Sequence, residues 1–286
     1  MSPQQDTSKP FLIDGPTCIS FSGGRTSAYM LWRVLEANGG LPDKAVVCFA
    51  NTGKEEEATL QFIHDCEVKW GVEIHWVERR FDEAGFVRVD FETASRNGEP
   101  FEALIHKRNY LPNPVARICT SELKIRAQSK YLETLGLFEG ETYSTIENLS
   151  WIGIRADEQR RAAKIADKSR VPLWAAGITK EVIGEFWRSH PFDLGLPNMN
   201  GVTMHGNCDL CFLKPASQVL ALIAEKPARA VWWARMEALA LALASKPSGA
   251  VFRSDRPSYA QMAQFAADQV DMFDPNEEAI ACFCGD

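Results

Sequence analysis

The feature that most constrains the fold is a regular alternation of strand and helix patterns in the first part of the chain. Thr17–Ser22 and Ala45–Ala50 are short apolar runs, typical of strands buried on both faces, and Val72–Val77 alternates like a third strand. Helical apolar spacing separates these runs over Thr26–Ala37 and Glu55–Trp70. Strands and helices in this order form right-handed βαβ units, so the sequence predicts an α/β fold with a parallel sheet flanked by helices.

The pattern changes in the rest of the chain. Periodicity weakens over residues 79–115, where turn signals accumulate, and we interpret this stretch as an insertion or a lid. Ser121–Leu135 is predicted to be a helix and Leu149–Ile154 a further buried strand, and the remaining sequence is mainly helical in spacing. The predicted organisation is an α/β domain over residues 1–175, with the insertion at about 79–115, and a mainly helical C-terminal part over residues 176–286.

Composition excludes several classes of protein. The chain has 286 residues, of which 45% are hydrophobic and 24% charged, and these fractions exclude a disordered or fibrous chain. Its formal charge of −7 argues against an extended surface that coats nucleic acid, although a local basic pocket could still bind an anion. The sequence has no apolar run of the roughly 18 to 20 residues that a membrane span needs, and Met1–Pro10 lacks a signal-peptide pattern. We therefore expect a cytoplasmic protein with no membrane partner.

A glycine-rich loop lies between the first predicted strand and the first predicted helix. It consists of Ser22, Gly23, Gly24, Arg25, Thr26 and Ser27. Two glycines allow a tight turn with exposed N–H groups, the helix N-terminus carries a partial positive charge, and hydroxyls and a guanidinium can bind an anion. The alternative is a βα turn without a ligand, but hydroxyls on both sides of the glycines favour an anion cradle. The loop is not a Walker A loop, because no Gly-Lys-Ser/Thr follows.

The eight cysteines fall into two groups. Cys18, Cys48 and Cys66 lie in apolar periodic segments and are predicted to be buried free thiols. The others lie at loop-like or helix-entry positions: Cys119, Cys208, Cys211, Cys282 and Cys284. In a reducing cytosol, closely spaced thiols suggest metal or redox chemistry rather than structural disulfides. The Cys-x-x-Cys of Cys208 and Cys211 suits a zinc ion, an iron–sulfur cluster or a redox pair.

These motifs resemble those of a known family. Ser-Gly-Gly-x-x-Ser after the first strand resembles the PP-loop of the adenine nucleotide alpha-hydrolase-like superfamily. Asn51-Thr52-Gly53, Arg117–Ile125 and Gly153–Arg161 are similar, in order, to segments of the branch that contains phosphoadenosine phosphosulfate (PAPS) and adenosine phosphosulfate (APS) reductases. The likeness spans about Thr17 to Lys214. It implies Rossmann-type layering and the binding of an adenine nucleotide, which would be PAPS, APS or ATP.

The resemblance also implies which residues bind this nucleotide. Besides the glycine-rich loop, they are Asn51, Thr52, Gly53, Lys124, Gly153, Arg155, Arg160 and Arg161. The adenine ring would lie over the strand ends near Asn51–Gly53. Guanidinium groups after a strand end can fork onto a sulfate or phosphate, which favours a binding role for Arg155. For Lys124, Arg160 and Arg161 a solvated surface role is an equal alternative.

The resemblance further implies an iron–sulfur cofactor. The APS reductase branch carries a [4Fe–4S] cluster on a Cys-Cys pair and a Cys-x-x-Cys. Three of the four ligands match cysteines of this chain: Cys119, Cys208 and Cys211. The fourth falls on Ile118, which cannot coordinate, so Cys282 or Cys284 would have to close the cluster. Alternatively, Cys284 resembles the tail cysteine that attacks the sulfo group in the reductases, and the two roles compete.

Two departures from the family pattern bear on the reaction. Thr26 and Asn51 stand where ATP-cleaving members commonly have Asp. Because such enzymes use carboxylates to hold Mg²⁺ against pyrophosphate, the sequence favours a nucleotide whose sulfo group is attacked. The predicted function is that of a PAPS/APS reductase-like oxidoreductase that reduces or transfers activated sulfur with a thiol donor such as thioredoxin. The alternatives are an ATP-dependent sulfur-transfer enzyme that modifies tRNA or DNA, and a nucleotide-binding module with a structural zinc.

Overall fold

The chain forms two compact units. The structure is a computed structural model, and it describes residues 8–199, 202–206, 208–243 and 250–271. The units comprise residues 1–209 and 210–286. The boundary predicted after residue 175 falls inside the first unit. Phe186, on a helix beyond that position, packs edge-on against Tyr29 with ring centroids 5.0 Å apart, so this helix belongs with the sheet domain.

The first unit is built on a five-stranded sheet. Its strands are β1 Thr17–Phe21, β2 Ala45–Asn51, β3 Ile74–Arg79, β4 Phe86–Val89 and β5 Ser150–Ile152. The order across the sheet is β4-β3-β2-β1-β5. Strands β1, β2, β3 and β5 run parallel, and β4 pairs antiparallel with β3. The predicted α/β fold with a parallel sheet is therefore confirmed.

Helices connect the strands of this unit. They are α1 Arg25–Asn38, α2 Glu57–Trp70, α3 Glu99–Arg108, α4 Ala127–Leu132, α5 Tyr143–Asn148, α6 Gln159–Ala162, α7 Pro172–Ala175 and α8 Lys180–Ser189. A π-helical segment, Cys119–Arg126, leads directly into α4. Two short strands, β6 Asn198–Met199 and β7 Val202–Thr203, form an antiparallel ribbon after α8.

The two faces of the sheet are covered by different helices. Side chains of α1, α2 and α8 pack on one face and those of α4 and α5 on the other. All residues of β2 are buried, as expected for a central strand with a continuous apolar run. Cys18, Cys48 and Cys66 are buried free thiols, as predicted. Burial raises the pKa of Cys18 to about 12 and raises the pKa of the other two thiols as well, which disfavours their thiolate forms.

The stretch predicted to be an insertion or lid contains two regular elements. β4 extends the sheet at one edge, and α3 packs against the π-helical segment that follows it. The sequence pattern missed β4 because the strand has four residues and none of them is buried, so its apolar alternation is weak. The stretch therefore forms part of the sheet domain.

The second unit, residues 210–286, has three helices in the part that the structure describes. It contains α9 Ala216–Glu225, α10 Ala228–Leu243 and α11 Tyr259–Asp271. Glu237, a buried carboxylate on α10, accepts hydrogen bonds from the backbone N–H groups of Phe252 and Tyr259. Trp233 stacks on the Tyr259 ring with centroids 5.2 Å apart. None of the helices that the structure describes has the length and apolar character needed to cross a bilayer.

Candidate functional site

The glycine-rich loop makes a tight connection between β1 and α1. Gly23 has φ +71°, and a Cβ atom there would lie 2.6 Å from the side chain of Thr59, so only glycine fits without strain. The hydroxyl of Ser27 accepts a hydrogen bond from the N–H of Ser22 at 3.1 Å and donates one to the carbonyl of Gly24 at 3.0 Å. These bonds hold the loop in one conformation, as a preformed cradle requires.

The N-terminus of α1 has no side-chain cap. Gly24 occupies the N-cap position with φ −99°, and no side chain accepts a hydrogen bond from the first turn at this cap. The first N–H groups of a helix have no intrahelical acceptor and carry a partial positive charge. The first turn of α1 is therefore suited to bind an anion.

A pocket of about 440 Å³ opens beside this helix N-terminus. It lies between the carboxyl ends of β1 and β5, where the sheet order changes direction: β2 and β3 lie on one side of β1 and β5 on the other. Ligands of open α/β sheets bind in the crevice at such a switch point. Nine of the predicted nucleotide-binding residues line it: Ser22, Gly23, Gly24, Arg25, Thr26, Ser27, Gly153, Arg155 and Arg161.

Cationic side chains outnumber carboxylates among the described residues that line the pocket. Its cations are Arg25, Arg155, Arg161 and Lys180, against the single lining carboxylate Glu158, among the residues that the structure describes. Glu158 lies 2.5 Å from Arg161 and 3.7 Å from Arg155. Carboxylates just outside the lining also pair with these cations: Asp193 with Arg25, Asp157 with Arg155 and Glu181 with Lys180. The lining therefore presents cationic groups that ion pairs hold in position.

Arg155 is held in place beside the loop. Its guanidinium pairs with Asp157, with the closest N–O distance at 2.9 Å, and one of its Nη atoms lies 3.4 Å from the Thr26 hydroxyl. The hydrogen bonds from Arg155 lower the pKa of Asp157, which therefore stays ionised. Asp157 also accepts a hydrogen bond from the backbone N–H of Lys180 at the start of α8. Arg155 therefore lines the pocket while its guanidinium is held in an ion pair.

Arg25 lines the pocket, but its guanidinium is bound to the segment after α8. Its Nε and Nη2 donate to the two carboxylate oxygens of Asp193 at 2.6 and 2.5 Å. It also donates to the carbonyl of Leu196 at 2.9 Å and the hydroxyl of Thr203 at 3.0 Å. Burial alone would raise the pKa of Asp193, but hydrogen bonds from Arg25 and from the backbone lower it overall. Arg25 therefore joins the glycine-rich loop to a wall of the pocket.

Asn51, Thr52 and Gly53 form a closed turn at the end of β2 and are outside the described pocket lining. The Asn51 amide donates to the buried carboxylate of Glu78 at 2.6 Å, and the Thr52 hydroxyl donates to Glu55 at 2.9 Å. A Cβ atom at Gly53 would lie 3.0 Å from the backbone of Gly98. The side chains of Asn51 and Thr52 therefore already have hydrogen-bond partners within the protein. An Asp at position 51 would set two carboxylates against each other, which explains why Asn stands there.

Lys124 and Arg160 also lie outside the described lining of this pocket. Lys124 is half-buried in the π-helical segment, and Arg160 is exposed on α6.

Sequence reasoning missed Lys180 and Asp193 as site residues. Lys180 had a signal, since it follows Thr179, a residue type that is favoured at the N-terminus of a helix. Asp193 contacts Arg25 across 168 residues and had none.

Cys208 lies next to the turn that follows β2. It forms a backbone bridge with Glu55, and its Sγ lies 3.5 Å from the Thr52 hydroxyl. The neighbouring Asp209 pairs with Lys54 at 3.0 Å, both side chains being largely buried. These contacts hold the first cysteine of the Cys-x-x-Cys at the edge of the sheet where the parallel strands end.

Of the other candidate cysteine ligands, the structure describes two. Cys119 is half-buried at the start of the π-helical segment, and Cys211 is half-buried in the second unit. Cys282 and Cys284 lie outside the described residues. Within the described ranges, no three His, Cys, Asp or Glu side chains form a group that could hold a metal ion.

The fold and the pocket together define an α/β protein whose sheet carries a cationic, glycine-lined pocket at its switch point. No family model matches the chain. The uncharacterized nin region protein ORF290 of Escherichia phage lambda is 30% identical to it over 209 residues, which are 70% of this chain and 67% of the phage protein. The chain therefore belongs to the family of this phage protein.

Proposed function

We propose that this protein is an enzyme that binds an adenylyl nucleotide in the pocket between β1 and β5. The observation that carries the proposal is the convergence of the uncapped N-terminus of α1 with Arg155, Arg161 and Lys180 on one pocket. Backbone N–H groups and guanidinium groups are the donors that proteins use for phosphate and sulfate. The resemblance to the PP-loop superfamily supports the same ligand class.

The base would occupy the apolar part of this pocket. Ile152, Ile183 and Leu194 line it and offer surfaces against which an adenine ring can pack. The sequence favoured a position near Asn51–Gly53, but the polar groups of that turn are bonded within the protein. We therefore assign the ring to the pocket between β1 and β5.

The proposed reaction resembles that of PAPS and APS reductases. A thiolate attacks the sulfur of the sulfo group, the S–O bond to the phosphate breaks, and the nucleotide leaves. A second thiol, supplied by a partner such as thioredoxin, attacks the S-sulfonate, releases sulfite and leaves a disulfide, so two thiols provide the two electrons. Cys284 is the proposed nucleophile by resemblance. The lining supports this reaction over pyrophosphate release, because its one described carboxylate, Glu158, is engaged by Arg155 and Arg161.

The proposed reaction does not require the predicted [4Fe–4S] cluster. The described residues do not assemble a complete ligand set, and Cys282 lies outside them. The proposed function therefore rests on the nucleotide pocket and on thiol chemistry. The cluster, with zinc as the alternative metal, stays a prediction.

A second candidate is ATP-dependent sulfur transfer to tRNA or DNA. It is favoured by an exposed basic surface that begins with Arg80 at the carboxyl end of β3, since a basic surface can bind the phosphates of a nucleic acid. Titration calorimetry of the full chain with APS, PAPS and ATP, with and without Mg²⁺, separates the two candidates. The first predicts that APS or PAPS binds without Mg²⁺ and yields sulfite with reduced thioredoxin. Binding of Mg²⁺-ATP alone, with pyrophosphate release, would replace it with the second.

A further inference from the structure

We propose that a basic surface around the end of α3 binds the backbone of single-stranded nucleic acid. This surface is formed by Arg80, Lys107, Arg108, Arg117 and Arg126. Binding by this surface does not depend on which nucleotide the pocket binds. The segment from residue 106 to residue 130 contains six Lys and Arg residues against one Glu, in a chain whose formal charge is −7. Such local concentration of positive charge in an acidic protein indicates an anionic partner.

The one carboxylate of this segment, Glu122, is shared by three arginines. Glu122 is buried and contacts Arg79 at 3.5 Å, Arg126 at 3.7 Å and Arg108. Two of the three positive charges therefore remain uncompensated by it. The side chains of Arg108 and Arg126 are 43% and 51% exposed, so both guanidiniums keep access to solvent while Glu122 holds them in position.

Three further cations of this surface are exposed. Arg80, Lys107 and Arg117 form no ion pair with any residue that the structure describes. Arg80 and Lys107 line a groove together with Arg79 and three carboxylates, Glu78, Asp82 and Glu99. All three carboxylates already accept backbone hydrogen bonds: Asp82 from Gly85, Glu99 from Asn97 and Glu78 from Ser95. They reduce the positive charge of the groove. Outside the groove, Arg108 and Arg126 share Glu122, and Arg117 has no carboxylate partner among the described residues.

An apolar tip lies between the basic residues in the chain. Val115 is 95% exposed and Tyr110 is 37% exposed, although both lie in an ordered loop. The loop is fixed by Asn113, whose side-chain oxygen accepts hydrogen bonds from the N–H groups of Val115 and Ala116 at 3.0 and 2.8 Å. An exposed aromatic ring flanked by Lys and Arg is the combination that binds unpaired bases and their backbone. This feature favours single-stranded nucleic acid over an acidic peptide or a lipid surface.

The basic surface and the pocket both lie at the end of the sheet where the parallel strands have their carboxyl ends. Arg80 follows the carboxyl end of β3, and the pocket lies at the carboxyl end of β1, with β2 between the two parallel strands. Neighbouring strands are about 4.8 Å apart, so the two strand ends are separated by about 10 Å. A strand of nucleic acid bound along this surface would pass close to the nucleotide pocket.

Fluorescence anisotropy with a labelled 20-nucleotide oligo(dT), titrated with the full chain at several salt concentrations, tests the proposal. We expect salt-dependent binding that Lys107→Glu/Arg117→Glu weakens by about 25-fold at roughly 0.1 M salt, since each lost phosphate contact on a single strand lowers the salt slope by about 0.7. Tyr110→Ala should weaken binding without changing the salt slope, because stacking is not ionic.

A charge-reversal control away from this surface is Lys44→Glu. Lys44 is exposed just before β2, at the end of the sheet where the parallel strands begin, and this variant should bind like the wild type. Circular dichroism establishes that each variant is folded. Absence of binding by the wild type, or equal losses in the control, would overturn the proposal. Tighter binding to an oligo-Asp peptide or to anionic vesicles than to oligo(dT), with no effect of Tyr110→Ala, would assign the surface to a different partner and also overturn it.

Discussion

Arg25, the first residue of α1, donates two hydrogen bonds to the carboxylate of Asp193, at 2.6 and 2.5 Å. This contact joins the glycine-rich loop to the segment that forms one wall of the pocket. It also means that the loop's own cation is already paired. The proposed donors to the phosphate of a ligand are the N-terminus of α1 and the other cations of the lining, Arg155, Arg161 and Lys180.

Replacing Asp193 should loosen this wall. We expect Asp193→Asn to lower the free energy of unfolding by about 1 kcal/mol at pH 7, a modest value because the carboxylate is partly exposed. The folded-state pKa of Asp193 is lowered, so its stabilisation is present above the unfolded pKa and is lost as pH falls through the folded one. Urea unfolding from pH 7 to pH 3 should show the difference shrinking below about pH 4. Glu139→Gln, at an exposed position, is the control; a constant difference across this range would contradict the ion pair.

Asn51→Asp should destabilise the protein. The new carboxylate would lie against the buried Glu78, where the Asn51 amide now donates at 2.6 Å. Two like charges in a buried site cost about 3 kcal/mol. The repulsion raises the pKa of this pair, so the loss should diminish as pH falls from 7 towards 5 and one carboxyl binds a proton.

The double variant Asn51→Asp/Glu78→Gln isolates this repulsion. It restores a donor–acceptor pair between positions 51 and 78 and should recover part of the stability at pH 7, as measured by urea denaturation. The hydrogen bond from the Asn51 amide to the Ser95 carbonyl, at 2.9 Å, is not restored. Equal stabilities of the single variant and the wild type would show that Glu78 does not face Asn51 in the folded protein.

The two glycines of the loop should respond differently to alanine. Gly23→Ala combines a positive φ with a Cβ contact of 2.6 Å, and we expect a loss of about 2 to 4 kcal/mol. Gly24→Ala has no such contact, the nearest atom being the Ser22 hydroxyl at 3.7 Å, and should unfold close to the wild type. Thermal unfolding of both variants checks this. Equal midpoints for the two would mean that the loop has another conformation.

The iron–sulfur cluster makes a separate prediction. If Cys119, Cys208 and Cys211 are ligands, the anaerobically purified protein should be brown, and each Ser variant should lose iron and sulfide, because thiolates are the favoured donors. Cys66→Ser, at a buried free thiol, serves as the control. A colourless protein that contains zinc supports the structural-zinc alternative. Full iron content in all three Ser variants would remove these cysteines from the site.

Much of the fold could be predicted because it depends on local patterns. The buried runs that form β1 and β2 carry an unbroken apolar signal, and the glycines after β1 mark the turn into α1. β4 escaped prediction because none of its residues is buried. The π-helical form of Cys119–Arg126 is likewise not encoded by apolar spacing, which indicated only a helix.

The site could be predicted only where its residues are close in sequence. The loop and Arg155 follow strand ends, and such positions converge at one edge of a parallel sheet. The pairing of Arg25 with Asp193 could not be inferred, since 168 residues separate them and neither has a local signal. The role of Asn51 depended on Glu78, whose side chain meets it only once β2 and β3 pair.

The central claim is that the pocket beside Gly24 binds an adenylyl nucleotide, and one measurement tests it most directly. Gly24→Asp would put a carboxylate at the N-cap of α1, a position that Asp favours, so the helix should stay intact while its N–H groups become occupied. The control is Gly15→Asp, which makes the same charge change before β1, at the end of the sheet where the parallel strands begin. A Cβ atom at Gly15 would have no neighbour within 4 Å. In calorimetric titrations with APS, PAPS and ATP, we expect binding by the wild type and Gly15→Asp and none by folded Gly24→Asp. Unchanged affinity in Gly24→Asp would contradict the claim.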